Sequence, residues 1–183
     1  MTEFEALLRL SMTRGIGAKT YQALIERFGS SESILDASRS ELEAIPGVGI
    51  KIATAINETS RNIDISTEIN LAKEKGVQII PYTSDLYPKH LKTIYDPPLI
   101  LYVKGNILET DILALAIVGA RRCTYYGLSQ AERFGRLLAQ KGFCIVSGMA
   151  RGIDAAAHRG AISANGRTIA VLGCGLGVIY PRE

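Results

Sequence analysis

Phe143-Cys144-Ile145-Val146-Ser147-Gly148-Met149-Ala150-Arg151-Gly152-Ile153-Asp154 is the stretch that decides the fold. A short apolar run ends in a glycine turn, and a helical pattern follows. The same order of events occurs on either side. Ala114-Leu115-Ala116-Ile117-Val118 runs into Gly119-Ala120-Arg121, and Thr168-Ile169-Ala170-Val171-Leu172 runs into Gly173-Cys174-Gly175-Leu176-Gly177. Short continuous apolar runs with helices between them predict parallel strands buried on both faces. Right-handed crossovers join such strands, and ligands sit beyond their carboxyl ends. All three glycine turns fall at that end.

Composition sets the outer bounds. The chain has 183 residues, 47% hydrophobic and 21% charged, which is ordinary globular material for one medium domain or two small ones. The net charge of +3 argues for nothing, but its distribution does. Residues 116–167 hold eight basic and two acidic residues, a net +6, while the rest of the chain is −3. Positive charge on the segment with the glycine turns suits an anionic ligand. Arg133, Arg136 and Arg159 read equally well as solvated helix surface. Cys123, Cys144 and Cys174 show no metal-ligand spacing, and Cys144 reads as a buried free thiol in a strand. Unpaired cysteines and the lack of a signal peptide or membrane-length apolar run predict a cytoplasmic protein.

Residues 2–62 read as helical throughout. Ser30 to Ser33 can cap one of these helices. Gly15-Ile16-Gly17 and Gly47-Val48-Gly49 form an internal repeat, each opening a helix, and both resemble the helix–hairpin–helix motif. The second copy, with Ile45-Pro46 before it and Lys51 and Ala53 after it, is the better match. Glycines let the backbone turn tightly ahead of a helix, so N–H groups at its positive end can meet a phosphate, assisted by Lys19 or Lys51. The alternative is a pair of tight interhelical turns in a small bundle, or a protein–protein module. A short helix at Ile69–Lys75 and strands at Val77–Ile80 and Leu99–Val103 follow. Asp85 and Asp96 read as turn-capping residues rather than catalytic carboxylates.

Four groups of residues resemble the DprA/Smf family of bacterial DNA-processing proteins. They are Tyr87-Pro88 with Asp96-Pro97-Pro98 and Leu101-Tyr102; Ile117-Val118-Gly119-Ala120-Arg121 with Thr124 and Tyr126-Gly127; Ser147 through Asp154 with Ala157-His158 and Gly160-Ala161; and Ala170-Val171-Leu172-Gly173 with Tyr180-Pro181. The third is long and highly specific. The resemblance implies an α/β fold: an incomplete Rossmann-like parallel-sheet domain at residues 67–183, preceded by a small all-α SAM-like, helix–hairpin–helix domain at residues 1–66. Two departures stand out. Gly177 stands where the family commonly has an acidic residue, and the chain stops at Glu183, short of the family's second half-domain. The expectation is therefore a fragment or truncated product, with an exposed sheet edge.

The resemblance implies a protein that binds single-stranded DNA, protects incoming strands and helps load the strand-exchange recombinase, without being an enzyme and without cofactor, metal or membrane partner. It also implies a homodimer, mediated by the half-domain that this chain lacks. The residues themselves agree in outline. Gly119, Gly148 and Gly152 can bring backbone close to a phosphate, with Ala150 in the same turn. Ser147 can donate its hydroxyl, Arg121 can fork onto phosphate oxygens, and Arg122 and Arg151 add charge at the rim. Lys51 is the candidate contact in the helical domain. Tyr125, Tyr126 and Tyr180 could stack on bases, although Tyr126 reads more readily as core. Asp154 is expected to cap the helix beginning at Ala155, and His158 to pack or hydrogen-bond. The competing hypothesis is a nucleotide enzyme of the LOG-like phosphoribohydrolase kind. It requires a Pro-Gly-Gly-x-Gly-Thr loop and a glutamate that the third glycine turn does not have.

Overall fold

The structure, a computed structural model, describes residues 1–178, the side chains of residues 59–61 excepted. It forms two compact units, Met1–Gly105 and Asn106–Glu183.

The first unit opens with α1 (Glu3–Met12), α2 (Ala18–Phe28), α3 (Ser31–Asp36), α4 (Arg39–Glu43) and α5 (Ile50–Asn62). Local chemistry marks their ends. Thr2 and Glu5 make a reciprocal capping box on α1, and Ser38 and Glu41 make one on α4. Ser30 caps α3 as expected. Gly29, at φ 82°, ends α2 in the left-handed conformation that favours glycine. Apolar side chains recurring at helical spacing then meet in one core, built on Leu7, Leu10, Leu24, Ile34, Leu42 and Ile56, all under 2% exposed. Glu3 crosses from α1 to accept the Ser31 N–H at 2.9 Å, which satisfies a free donor of α3.

The helix α6 (Ile65–Glu74), capped by Asp64, leads to β1 (Val77–Pro81). That strand pairs antiparallel with β2 (Ile100–Lys104), from Val77 opposite Lys104 to Pro81 opposite Ile100. The hairpin lies in the first unit, and Leu99 is buried in the helical core. Tyr87 is almost fully buried and donates its hydroxyl to the Pro98 carbonyl at 2.8 Å.

The second unit contains β3 (Ala114–Ala116), α7 (Tyr125–Gln140), β4 (Cys144–Ser147), α8 (Ile153–Ser163) and β5 (Thr168–Ala170). The strands are parallel in the order β3-β4-β5, with Leu115 opposite Ile145 and Val146 opposite Ile169. Two right-handed crossovers running in the same direction put both helices on one face. They pack directly on each other and on β4. Their contact is made by glycines: a Cβ on Gly160 would overlap the Glu132 carbonyl oxygen, and one on Gly135 the Ala157 carbonyl oxygen. Ile145, fully buried, packs beneath them with Ala139, Ala157 and Ala161.

The expected burial on both faces is not what forms. Only β4 is buried, and every residue of β3 is exposed. Alternation puts Ala116, Val146 and Ile169 on the face away from Ile145. Val118 and Val171, two residues further along, are 69% and 63% exposed. Cys144, on the same face, is buried beside Asp111, so within this unit that face is closed at its Cys144 end and open toward Val118 and Val171. A buried apolar run in sequence reports the capacity of a strand to be covered, and here the helical layer lies on the Ile145 side only. The outer strands are also shorter than the apolar runs that predicted them. No helix is long and apolar enough to cross a membrane, among the described residues.

Candidate functional site

The carboxyl ends of β3 and β4 carry two turns that are built into one another. Gly152 lies at φ 82°, and a Cβ there would overlap the Ala120 carbonyl oxygen and come within 2.8 Å of the Arg121 carbonyl oxygen. Gly119 faces Ile153, whose Cγ1 would stand 2.7 Å from an added Cβ. The Ile153 N–H donates to the Ala120 carbonyl. Glycine is needed here so that one turn can approach the other.

The polar groups beneath follow the same plan. Ser147 is 2% exposed, and its hydroxyl donates to the Ile117 carbonyl at 2.6 Å. Asp154 is buried in the first turn of α8. Its Oδ1 accepts the Gly119 N–H at 3.3 Å and its Oδ2 the Gly148 N–H at 3.2 Å. The expected cap role is therefore corrected. The helix begins at Ile153 after Gly152, without a side-chain cap, and Asp154 receives donors from two strand-end turns instead. Sequence spacing around a helix start cannot separate these roles, since both place an aspartate in the first turn. Met149 takes φ 59°, the left-handed region that is costly for a side-chain-bearing residue, at the middle of the second turn.

The outer surface of these turns is cationic and aromatic. Arg121, Arg122 and Arg151 are exposed, as is Gly119, while Gly148, Ala150 and Gly152 are half-buried. The N-cap of α7 is Thr124, whose hydroxyl accepts the Gly127 N–H at 3.1 Å. Beside it, Tyr125 is 87% and Tyr126 73% exposed. The expectation that Tyr126 belongs to the core is thus overturned: it lies in the first turn of α7 with its side chain open to solvent. Tyr180 and Pro181 lie outside the described residues.

Other residues of the basic segment have different roles. Arg167 forms a two-pronged pair with the buried Asp111, with Nη2 to Oδ2 at 2.6 Å, and its Nη2 also reaches the Asn106 carbonyl. The Arg167 hydrogen bond holds the Asp111 carboxyl below its usual range. Arg159 lies 3.7 Å from Glu132 across an exposed ion pair. Cys144 is a buried free thiol, pushed up to about 11 by burial and then by Asp111. His158 places Nδ1 2.7 Å from the Thr168 hydroxyl, which itself donates to the Ile145 carbonyl, so the imidazole is the donor between them. Burial holds this ring below its ordinary value. The third glycine turn is different in kind: a Cβ on Gly173, Gly175 or Gly177 would meet nothing. Among the described residues no cluster of His, Cys, Asp or Glu could hold a metal ion.

In the first unit the two repeats are unequal. The Ala18 N–H at the start of α2 donates to Asp96 at 3.1 Å, and Lys19 lies 3.6 Å over the Tyr95 ring. The hydrogen bond of Asp96 thus goes to a helix start distant in sequence and not to its own turn, which spacing could not reveal. At the second repeat Gly47 takes φ 87°, added Cβ atoms at Gly47 and Gly49 would meet nothing, and Lys51 is exposed in the first turn of α5.

Residues 78–183 match the family model described as DNA recombination-mediator protein A, and residues 4–61 match the SAM-like helix–hairpin–helix tandem. The chain is 35% identical over 163 residues to DNA processing protein DprA of Bacillus subtilis, which covers 88% of this chain and 55% of that protein. It is 34% identical to Protein Smf of Synechocystis, over 96% of this chain and 45% of that one. The crystal structure of DNA processing protein A from Streptococcus pneumoniae superimposes with a TM-score of 0.71 at 30% identity, over the whole of this chain and 61% of that one. The chain thus spans about half the length of these curated relatives.

Proposed function

This chain belongs to the DNA recombination-mediator protein A (DprA/Smf) family, and from that membership we propose that it binds single-stranded DNA at the carboxyl ends of β3 and β4. The observation that carries this is the exposed group Arg121, Arg122, Tyr125 and Tyr126, set at one strand end, with Arg151 exposed on the turn packed against it. Arginine forks suit phosphate oxygens, and open aromatic rings accept bases of any sequence. Backbone contact with stacking holds a flexible single strand without reading its sequence.

The division of labour differs from the simplest phosphate-loop picture. The Gly119 and Gly148 N–H groups are engaged by Asp154, and the Ser147 hydroxyl by Ile117. The charge for phosphate then comes from Arg121, Arg122 and Arg151, while Gly119, Ser147, Gly148, Ala150 and Gly152 shape the turns that present them. The helical domain at residues 1–66 adds a backbone contact at Lys51, beside the second repeat. Residues 67–183 carry the main site. In this reading the protein acts by binding, not by catalysis. It shields incoming strands and helps load the strand-exchange recombinase.

Fluorescence anisotropy of a labelled single-stranded oligonucleotide, across a salt series, tests the proposal. Affinity should fall with salt, at about 0.7 in log–log slope for each phosphate neutralised. Arg121→Ala should weaken binding and make that slope shallower by about the same amount. Tyr125→Ala with Tyr126→Ala should weaken binding by about tenfold or more with the slope unchanged, since stacking carries no counterion release. Equal binding by Arg121→Ala and the parent would remove the site from this strand end. A folded chain that binds mononucleotides but no oligonucleotide would favour the nucleotide-enzyme alternative.

A further inference from the structure

The most heavily used polar group at this strand end is an acid. Asp154 is 7% exposed and lies directly beneath the turns that present Arg121, Arg122 and Arg151. Electrostatics alone makes it a poor neighbour for phosphate, since a carboxylate in a poorly solvated place repels an anion. Its geometry gives it another role. One oxygen holds the Gly119 N–H and the other the Gly148 N–H, so a single side chain grips turns that are 29 residues apart in sequence and grow from different strands. Two further ties between these turns, the Ile153 N–H to Ala120 and the close fit of Gly152 on Ala120 and Arg121, lie at the start of α8 beside Asp154, while the Ser147 hydroxyl joins the strand ends beneath at the Ile117 carbonyl. A Cβ on Gly148 would stand 2.8 Å from the Asp154 Oδ2, so no larger residue at 148 leaves the carboxylate in place.

We propose that Asp154 is a positioning residue for nucleic-acid binding, a two-oxygen staple that sets the spacing of the Arg121 turn and the Arg151 turn although its charge opposes the ligand. The proposal rests on the single-stranded DNA reading above. It makes a prediction opposite in sign to simple electrostatics. Asp154→Asn removes a negative charge from beneath the phosphate track and conserves size. Its amide keeps one acceptor, however, and turns two donor hydrogens toward the other glycine N–H, so one turn is released. The charge argument expects tighter binding. The staple expects binding weaker by about tenfold or more, with a shallower salt dependence as arginine contacts are lost.

Three measurements on the full chain decide it. The first is hydrogen exchange of the unaltered protein. The Gly119 and Gly148 amides should be protected although neither has a backbone acceptor among the described residues, and fast exchange at both would overturn the staple. The second compares Asp154→Asn, where these two amides should lose protection by tenfold or more while Ile145 and Val146 in β4 keep theirs. A uniform loss across the unit would mean plain destabilisation and would overturn the positioning role. The third is oligonucleotide anisotropy of Asp154→Asn beside Ile145→Val, a core change that lowers stability without touching the turns. The expected result is weak binding by the first and parental binding by the second. Tighter binding by Asp154→Asn, or equal losses in both, overturns the proposal. If the unaltered chain binds no single strand, the DNA reading fails and takes the role of Asp154 toward DNA with it. The exchange data then decide the staple separately.

Discussion

Glycine has two unrelated uses in the second unit, and substitution separates them. Gly160 and Gly135 let α7 and α8 touch, and alanine at Gly160 would drive its methyl into the Glu132 carbonyl. We expect Gly160→Ala to cost about 3 kcal/mol through overpacking, measured by denaturant unfolding. Gly173→Ala, with nothing near its added carbon, should change stability by less than about 0.5 kcal/mol. Two buried ionisable groups should make stability fall on acidification in two stages. Burial depresses His158, against Asp154 and the Ser147 backbone, which favour its charge. A group depressed on folding contributes fully above its unfolded value, about 6.5 for histidine, and loses that contribution as pH falls through the folded value. Asp111, depressed by Arg167, behaves alike below its unfolded value of about 4. His158→Gln should remove the upper stage and Asp111→Asn the lower, in urea midpoints followed from pH 8 to pH 3. Arg167→Ala should cost about 3 kcal/mol at neutral pH, because it strands a buried carboxylate.

Elements in this chain are ended by local chemistry and completed by distant chemistry. Thr2 with Glu5, Ser38 with Glu41, and Ser30 are capping signals visible within a few residues. Ser30 was legible because capping is a matter of adjacent backbone; the two capping boxes carry an equally local signal that the sequence reading passed over. The caps of α2 by Asp96 and of α3 by Glu3 come from elsewhere, and no spacing reveals them. Asp96→Ala should lower the stability of the first unit by about 1 kcal/mol, the usual cost of a lost N-terminal cap. It should also loosen the segment carrying Tyr95, read as faster exchange of the Ala18 amide. If the Ala18 amide exchanges at an unchanged rate, Asp96 is not its acceptor in solution. The strands show the converse limit. Their apolar runs located β3, β4 and β5 correctly, but an apolar run cannot say how many of its sides another layer will cover.

At the scale of the whole molecule, each unit carries its own core: a large one among the helices of the first, and a small one of alanines and Ile145 beneath α7 and α8 in the second. A chain of residues 1–105 should therefore keep its helical circular dichroism and unfold cooperatively. The sheet face, open at Val118 and Val171, should bind the dye ANS. Val118→Glu with Val171→Glu should abolish most of that signal with little change in unfolding midpoint, because neither side chain is packed. Unchanged dye binding would place the apolar surface elsewhere.

The sequence by itself determined the element order, the parallel sheet with glycine turns at its carboxyl ends, the helical unit ahead of it and the family, because each rests on periodicity, capping or a motif contained in neighbouring residues. It also pointed to the Arg121 and Arg151 turns. Tertiary structure alone decided that the Ser147 hydroxyl and the Gly119 and Gly148 amides face inward, that Tyr126 faces out, that Arg167 belongs to Asp111, and that Asp154 joins two turns rather than capping a helix. Each of those outcomes depends on which donor meets which acceptor across tens of residues, and hydrogen-bond partners are chosen by proximity in space, which no local pattern encodes.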